Sequence, residues 1–150
     1  MKPTVVVRTF LISPEIVALL APFALMPYAG FIDSMSLLLD DHKFELFAAA
    51  AYPFAVLLYA VGRVSDIIAP SGKRAVLLEW SDYDLLKGTA LISIALISLS
   101  LIISMCGYFV FIVNGGRLGV TAIAAGALGS SVTAFTLVLA HWKSREILGE

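Results

Sequence analysis

The sequence predicts an all-α fold, an integral membrane bundle of four transmembrane helices, and three observations carry that expectation. The stretch from Gly88 to Gly116 holds twenty-nine residues and no charged side chain. A helix needs about 20 apolar residues at about 1.5 Å each to cross the hydrocarbon core, so this stretch spans it with room for tilt. After one cation, Arg117, a second uncharged stretch runs from Leu118 to Ala140. Finally, 60% of the 150 residues are hydrophobic and only 14% are charged, with a mean hydropathy of +0.96. A water-soluble domain of this size carries more charge on its surface.

Taken in order, Ser13-Pro14-Glu15 is a helix start: a hydroxyl at the cap, proline at the first helical position and an acid facing the positive helix end. The expected first span is residues 14–32, short and kinked by Pro22 and Pro27. Lys2 and Arg8 resemble the basic flank of a signal sequence. The prolines and the lack of a small-x-small cleavage site favour a retained span instead. Asp40-Asp41-His42-Lys43 then reads as a solvated loop, since adjacent carboxylates rarely converge on one metal ion without distant ligands. The second span is expected over 45–64, with alanines on one face and a bend at Pro53.

A connection over 65–87 follows, turned by Pro70-Ser71-Gly72. Ala75–Trp80 is short and amphipathic enough to lie along lipid headgroups. Ser81 and Asp84 have capping-box spacing, so the third helix should begin near Asp82 and span 86–113. The glycines at 115 and 116 turn the chain into the fourth span, 118–140. His141-Trp142-Lys143 closes that span as an interfacial anchor. With four crossings, eight Lys and Arg residues fall on one side and only Lys43 and Arg117 on the other. This bias places both termini and the 65–87 connection in the cytoplasm.

The chemistry-bearing motifs are few. The chain has no phosphate-binding glycine loop, no HExxH and no serine elbow. Its one cysteine, Cys106, cannot form an internal disulfide. His42 and His141 are expected on opposite sides of the membrane. No enzyme activity, cofactor or metal is expected, and the absence of a basic stripe argues against nucleic acid. No ionisable residue is expected near the middle of a span, which disfavours an ion-coupled carrier.

Two patterns remain. Thr89, Ser93, Ser100, Ser104, Gly107 and Tyr108 share one face of the third helix. They suit a pore lining where copies of the chain meet. They equally suit hydroxyls that bond back to their own helix and let neighbours approach. On the fourth helix, Ala122, Gly126, Ser130 and Ala134 recur every four residues, beside a row of Ala125, Gly129 and Thr133. Such small-residue rows form close helix-packing seams, within one chain or between the subunits of a homo-oligomer.

This layout resembles the RexB-like family of small four-span phage-exclusion membrane proteins. The likeness lies in the Ser104–Tyr108 stretch ending in Gly107-Tyr108, the small-residue last helix with Gly126, Ser130 and Ser131, and the closing Ser144-Arg145-Glu146. The resemblance implies an ion-permeable effector of the bacterial inner (plasma) membrane that depolarises an infected cell when a cytoplasmic sensor triggers it; with the small-residue rows it is expected to self-associate. The sensor's contact would be the 65–87 connection, including Lys73, Arg74, Glu79, Trp80, Asp82 and Tyr83. The residues alone also admit a non-enzymatic subunit that anchors or assembles a larger membrane complex.

Overall fold

The computed structural model describes residues 13–28, 30, 42–68, 83–114 and 116–148. Four helices account for nearly all of them: α1 (Pro14–Leu25), α2 (Lys43–Ile68), α3 (Tyr83–Asn114) and α4 (Arg117–Leu148). Three are long and apolar enough to cross a membrane, and α1 is a shorter apolar helix. Asp40 and Asp41, Lys73, Arg74, Glu79, Trp80 and Asp82 lie outside the described residues.

The start of α1 follows its local chemistry. Ser13 is extended, with φ −64° and ψ 128°, and Pro14 supplies the first helical φ. The Ser13 carbonyl accepts the backbone N–H of Ile16 and of Val17. The Ser13 hydroxyl does not cap a backbone N–H; it donates to the Glu15 carboxylate. At the far end the helix tightens into a 3-10 turn over Met26–Tyr28. Pro27 has no N–H to continue the α pattern, which explains the change. The helix is therefore shorter than the apolar run 14–32 that contains it. In α2 the helix continues through Pro53, which is buried.

The helix α3 shows how the bundle is wound. Its buried residues are Tyr83, Leu86, Ala90, Ser93, Ile97, Ser100, Ser104, Gly107 and Phe111. The steps between them alternate between three and four, the 3.5-residue period of a left-handed supercoil. The turn into α4 uses Gly116 at φ +90°, a conformation that costs glycine nothing.

Contacts fix the relative directions. Gly107 meets Gly119 and Ser100 meets Gly126, so α3 and α4 are antiparallel. The Tyr83 hydroxyl donates to the Ile67 carbonyl at 3.1 Å, tying the end of α2 to the start of α3. At their other ends the rings of Phe47 and Tyr108 stand edge-on, 5.4 Å apart. One apolar cluster joins Val56, Ala60, Val64 and Ile67 of α2 with Leu86, Ala90 and Ile97 of α3 and Leu137 of α4. A second, toward the α3–α4 turn, joins Leu46, Ala50, Phe111, Val120 and Ile123. The helix α4 is central: it packs against α1, α2 and α3, whereas α1 packs mainly on α4.

Candidate functional site

The small residues of α4 face α3 of the same chain. A Cβ added to Gly126 would lie 2.5 Å from the Ser100 carbonyl oxygen and 2.6 Å from the Ser104 Cβ. Gly107 and Gly119 approach reciprocally: a Cβ on either would fall within 3 Å of the other's carbonyl oxygen. Backbones this close exchange weak Cα–H contacts and dense dispersion, which is what holds helices together where lipid removes the hydrophobic drive. Ala122 completes this seam beside Gly107, and Ser130 is fully buried. Ala134 turns instead toward the cluster shared with α2. The neighbouring row goes elsewhere: Gly129 meets Leu19 of α1 together with the Ser100 hydroxyl.

The polar face of α3 divides into two parts. Ser93, Ser100, Ser104 and Gly107 are buried. Thr89 and Tyr108 are half-buried at its margins, with Tyr108 against Phe47. Thr89 donates to the Leu85 carbonyl and Ser93 to the Thr89 carbonyl, both at 2.9 Å, the internal bonding that membrane helices allow serine and threonine. Ser104 is the exception. Its hydroxyl is fully buried and has no partner among the described residues.

On α4, Thr121 donates to Arg117 O at 2.7 Å, Ser130 to Ala127 O at 3.0 Å, and Thr133 to Gly129 O at 2.7 Å. The row ends at Thr136, whose hydroxyl donates to Glu15 Oε1 of α1 at 2.5 Å. Ser13 donates to the other carboxylate oxygen. Glu15 is itself buried. From Thr121 to Thr136 the hydroxyls extend about 22 Å along α4, roughly three quarters of the hydrocarbon thickness.

Sequence reasoning named the serines of α3 and the glycines of α4 but not Glu15 or Thr136 as site residues. Glu15 reads as a first-turn acid; only the docking of α1 on α4 brings it against Thr136. Of the residues expected to meet a partner, Tyr83 is the one described. It is buried, with its hydroxyl on Ile67 O. His42 faces Glu45 at 3.5 Å on the exposed start of α2. Among the described residues no group of three His, Cys, Asp or Glu is arranged to hold a metal.

The chain is thus an all-α bundle with three helices of membrane-spanning length and apolarity, two of which, α3 and α4, pack through a small-residue seam with buried hydroxyls along it and one carboxylate at its end. Compared with family models, curated proteins and solved structures, the chain matches none.

Proposed function

We propose that this chain is a small inner-membrane protein that becomes ion-permeable, acting as a pore or channel-like effector, and that the arrangement described above is its closed form. The observation that carries the reading is the row of buried hydroxyls between α1, α3 and α4, which includes Ser104, without a partner among the described residues, and ends at Glu15. Ordinary packing satisfies each hydroxyl on its own helix. A buried hydroxyl without a partner is costly, and in a channel it serves water or an ion when the helices part. On this reading the chain crosses four times with both termini cytoplasmic. Supporting that, Glu15 lies beside Thr136 and Leu19 beside Gly129, so α1 runs antiparallel to α4. Self-association and a trigger from the cytoplasmic side remain part of the proposal, as the resemblance to phage-exclusion proteins implies.

Ser104→Ala tests it. Removing an unpartnered hydroxyl leaves the fold as stable or more so. If the hydroxyl serves permeation, the variant nonetheless depolarises cells more weakly than wild type at equal expression. Unchanged depolarisation refutes its role.

A second reading, a non-enzymatic anchoring or assembly subunit, is favoured by the self-satisfied bonds of Thr89, Ser93, Thr121 and Thr133. It predicts an intact membrane potential on induction and a stoichiometric protein partner on purification.

A further inference from the structure

The helix α1 is held to the bundle unlike the others. Among its residues only Glu15 and Leu19 are buried. Each occupies a distinct point of the hydroxyl row. Leu19 stands where three helices converge: a Cβ on Gly129 would lie 2.9 Å from Leu19 Cδ1 and 2.9 Å from the Ser100 hydroxyl. Gly129 is midway along the Arg117–Trp142 span. The apolar tip of Leu19 and the Ser100 hydroxyl thus converge on one point of α4, at the middle of its span. Two turns of α4 further on, Glu15 is fastened by Thr136 and by Ser13. Its side-chain partners are hydroxyls; no Lys, Arg or His lies within ion-pair distance of it among the described residues.

We propose that α1 is a displaceable lid, with Leu19 as its apolar plug over Ser100 and Gly129 and the Glu15–Thr136 bond as its latch. The inference rests on the pore reading for its purpose but not for its geometry. With α1 in place, Leu19 keeps water from Ser100, the dewetting by which apolar constrictions close pores. With α1 displaced, Ser100, Gly129, Thr133 and Thr136 form a continuous polar and small-residue surface. The carboxylate of Glu15 favours displacement, because a charge at this depth gains by returning to water once its hydroxyl partner is lost. The short helix with two buried side chains is the element of the bundle with least to lose on leaving.

The experiment is carried out on the full chain in phosphatidylethanolamine–phosphatidylglycerol vesicles, with Cys106→Ala and Ser100→Cys as background. A methanethiosulfonate reagent reacts with the cysteine only where water reaches it. Thr136→Val keeps the side-chain shape and removes the latch, so labelling of position 100 should accelerate roughly tenfold, the worth of a hydrogen bond to a charged group. Equal labelling rates with and without Thr136→Val overturn the lid. A second variant guards against misfolding. A Cβ on Gly129 would lie 3.4 Å from Leu19 Cβ, near the separation of about 3.8 Å that a disulfide spans. In Leu19→Cys/Gly129→Cys/Cys106→Ala, oxidation should join the two cysteines and suppress ion flux by roughly tenfold or more, with recovery on reduction. Full cross-linking with undiminished flux also overturns the lid. If labelling responds to Thr136→Val while no variant conducts, the lid stands and the pore reading falls.

Discussion

Replacing Gly126 with alanine probes the α3–α4 seam most directly. The added methyl would meet the Ser100 carbonyl oxygen at 2.5 Å, Ser104 Cβ at 2.6 Å and Ser104 Cα at 3.2 Å. Carbon contacts settle at about 3.5–4.0 Å, so the helices must part by roughly 1 Å. Two of the three atoms are backbone and the third is a Cβ, so no rotamer change relieves the clash. Overpacking of this kind costs about 1–3 kcal/mol. Here the upper end applies, because separation at Gly126 also loosens the Gly107–Gly119 approach. Gly62→Ala is the control: on α2, nothing lies within 4 Å of its added Cβ. That variant should be neutral or gain up to about 1 kcal/mol in helix propensity. The two single-methyl changes therefore differ by about 3 kcal/mol, more than a hundredfold in the unfolding equilibrium. Titration from mild detergent into dodecyl sulfate, followed by circular dichroism, measures it. If the two variants unfold together, the seam is not closely packed and the reasoning fails.

Other outcomes follow from single contacts. Tyr83→Phe leaves the Ile67 carbonyl without its partner, and should cost about 1 kcal/mol in the same titration with little change in helix content. Tyr52 and Ser131 share a hydrogen bond of 3.1 Å between α2 and α4. A double-mutant cycle of Tyr52→Phe with Ser131→Ala should show coupling near 0.6 kcal/mol, the usual size in membranes, and zero coupling would remove that contact. Cys106 is exposed on α3 within a membrane-length apolar segment. It should react with a lipid-soluble maleimide and resist a membrane-impermeant one, whereas labelling by both would move it out of the bilayer. Reporter fusions at Pro70 and after Glu150 should agree with each other and oppose a fusion at Asp41; any other pattern contradicts the four-crossing topology.

The helices were largely legible because a membrane helix announces itself by length and apolarity, with proline, glycine and charge at its ends. The stretch Gly88–Gly116 ends in a helix boundary at Asn114, and Gly116 takes the positive φ that the turn demands. The first helix was less legible. Apolarity continues to Ile32, but Pro27 ends the regular α pattern at Leu25.

Which face of each helix meets protein was a different matter. Along α3 the inward residues include Ala90, Ile97 and Phe111 as well as the serines, while Leu91, Ile102 and Phe109 face outward. Serines apart, both sets are apolar because lipid demands the same side chains as a core does, so hydropathy carries only a faint trace of the 3.5-residue period. Residue size does carry it, and so the glycines of α4 could be recognised as a seam without any sign of which helix filled it. Only the tertiary structure assigned Gly126 to Ser100 and Ser104, and Gly129 to Leu19. It alone set Glu15 against Thr136 across a sequence separation of 121 residues. Composition and local chemistry thus determined that the chain forms apolar membrane-length helices and where they turn. The pairing of their faces depended on shape, since the closest fit between small residues is a property of two surfaces together.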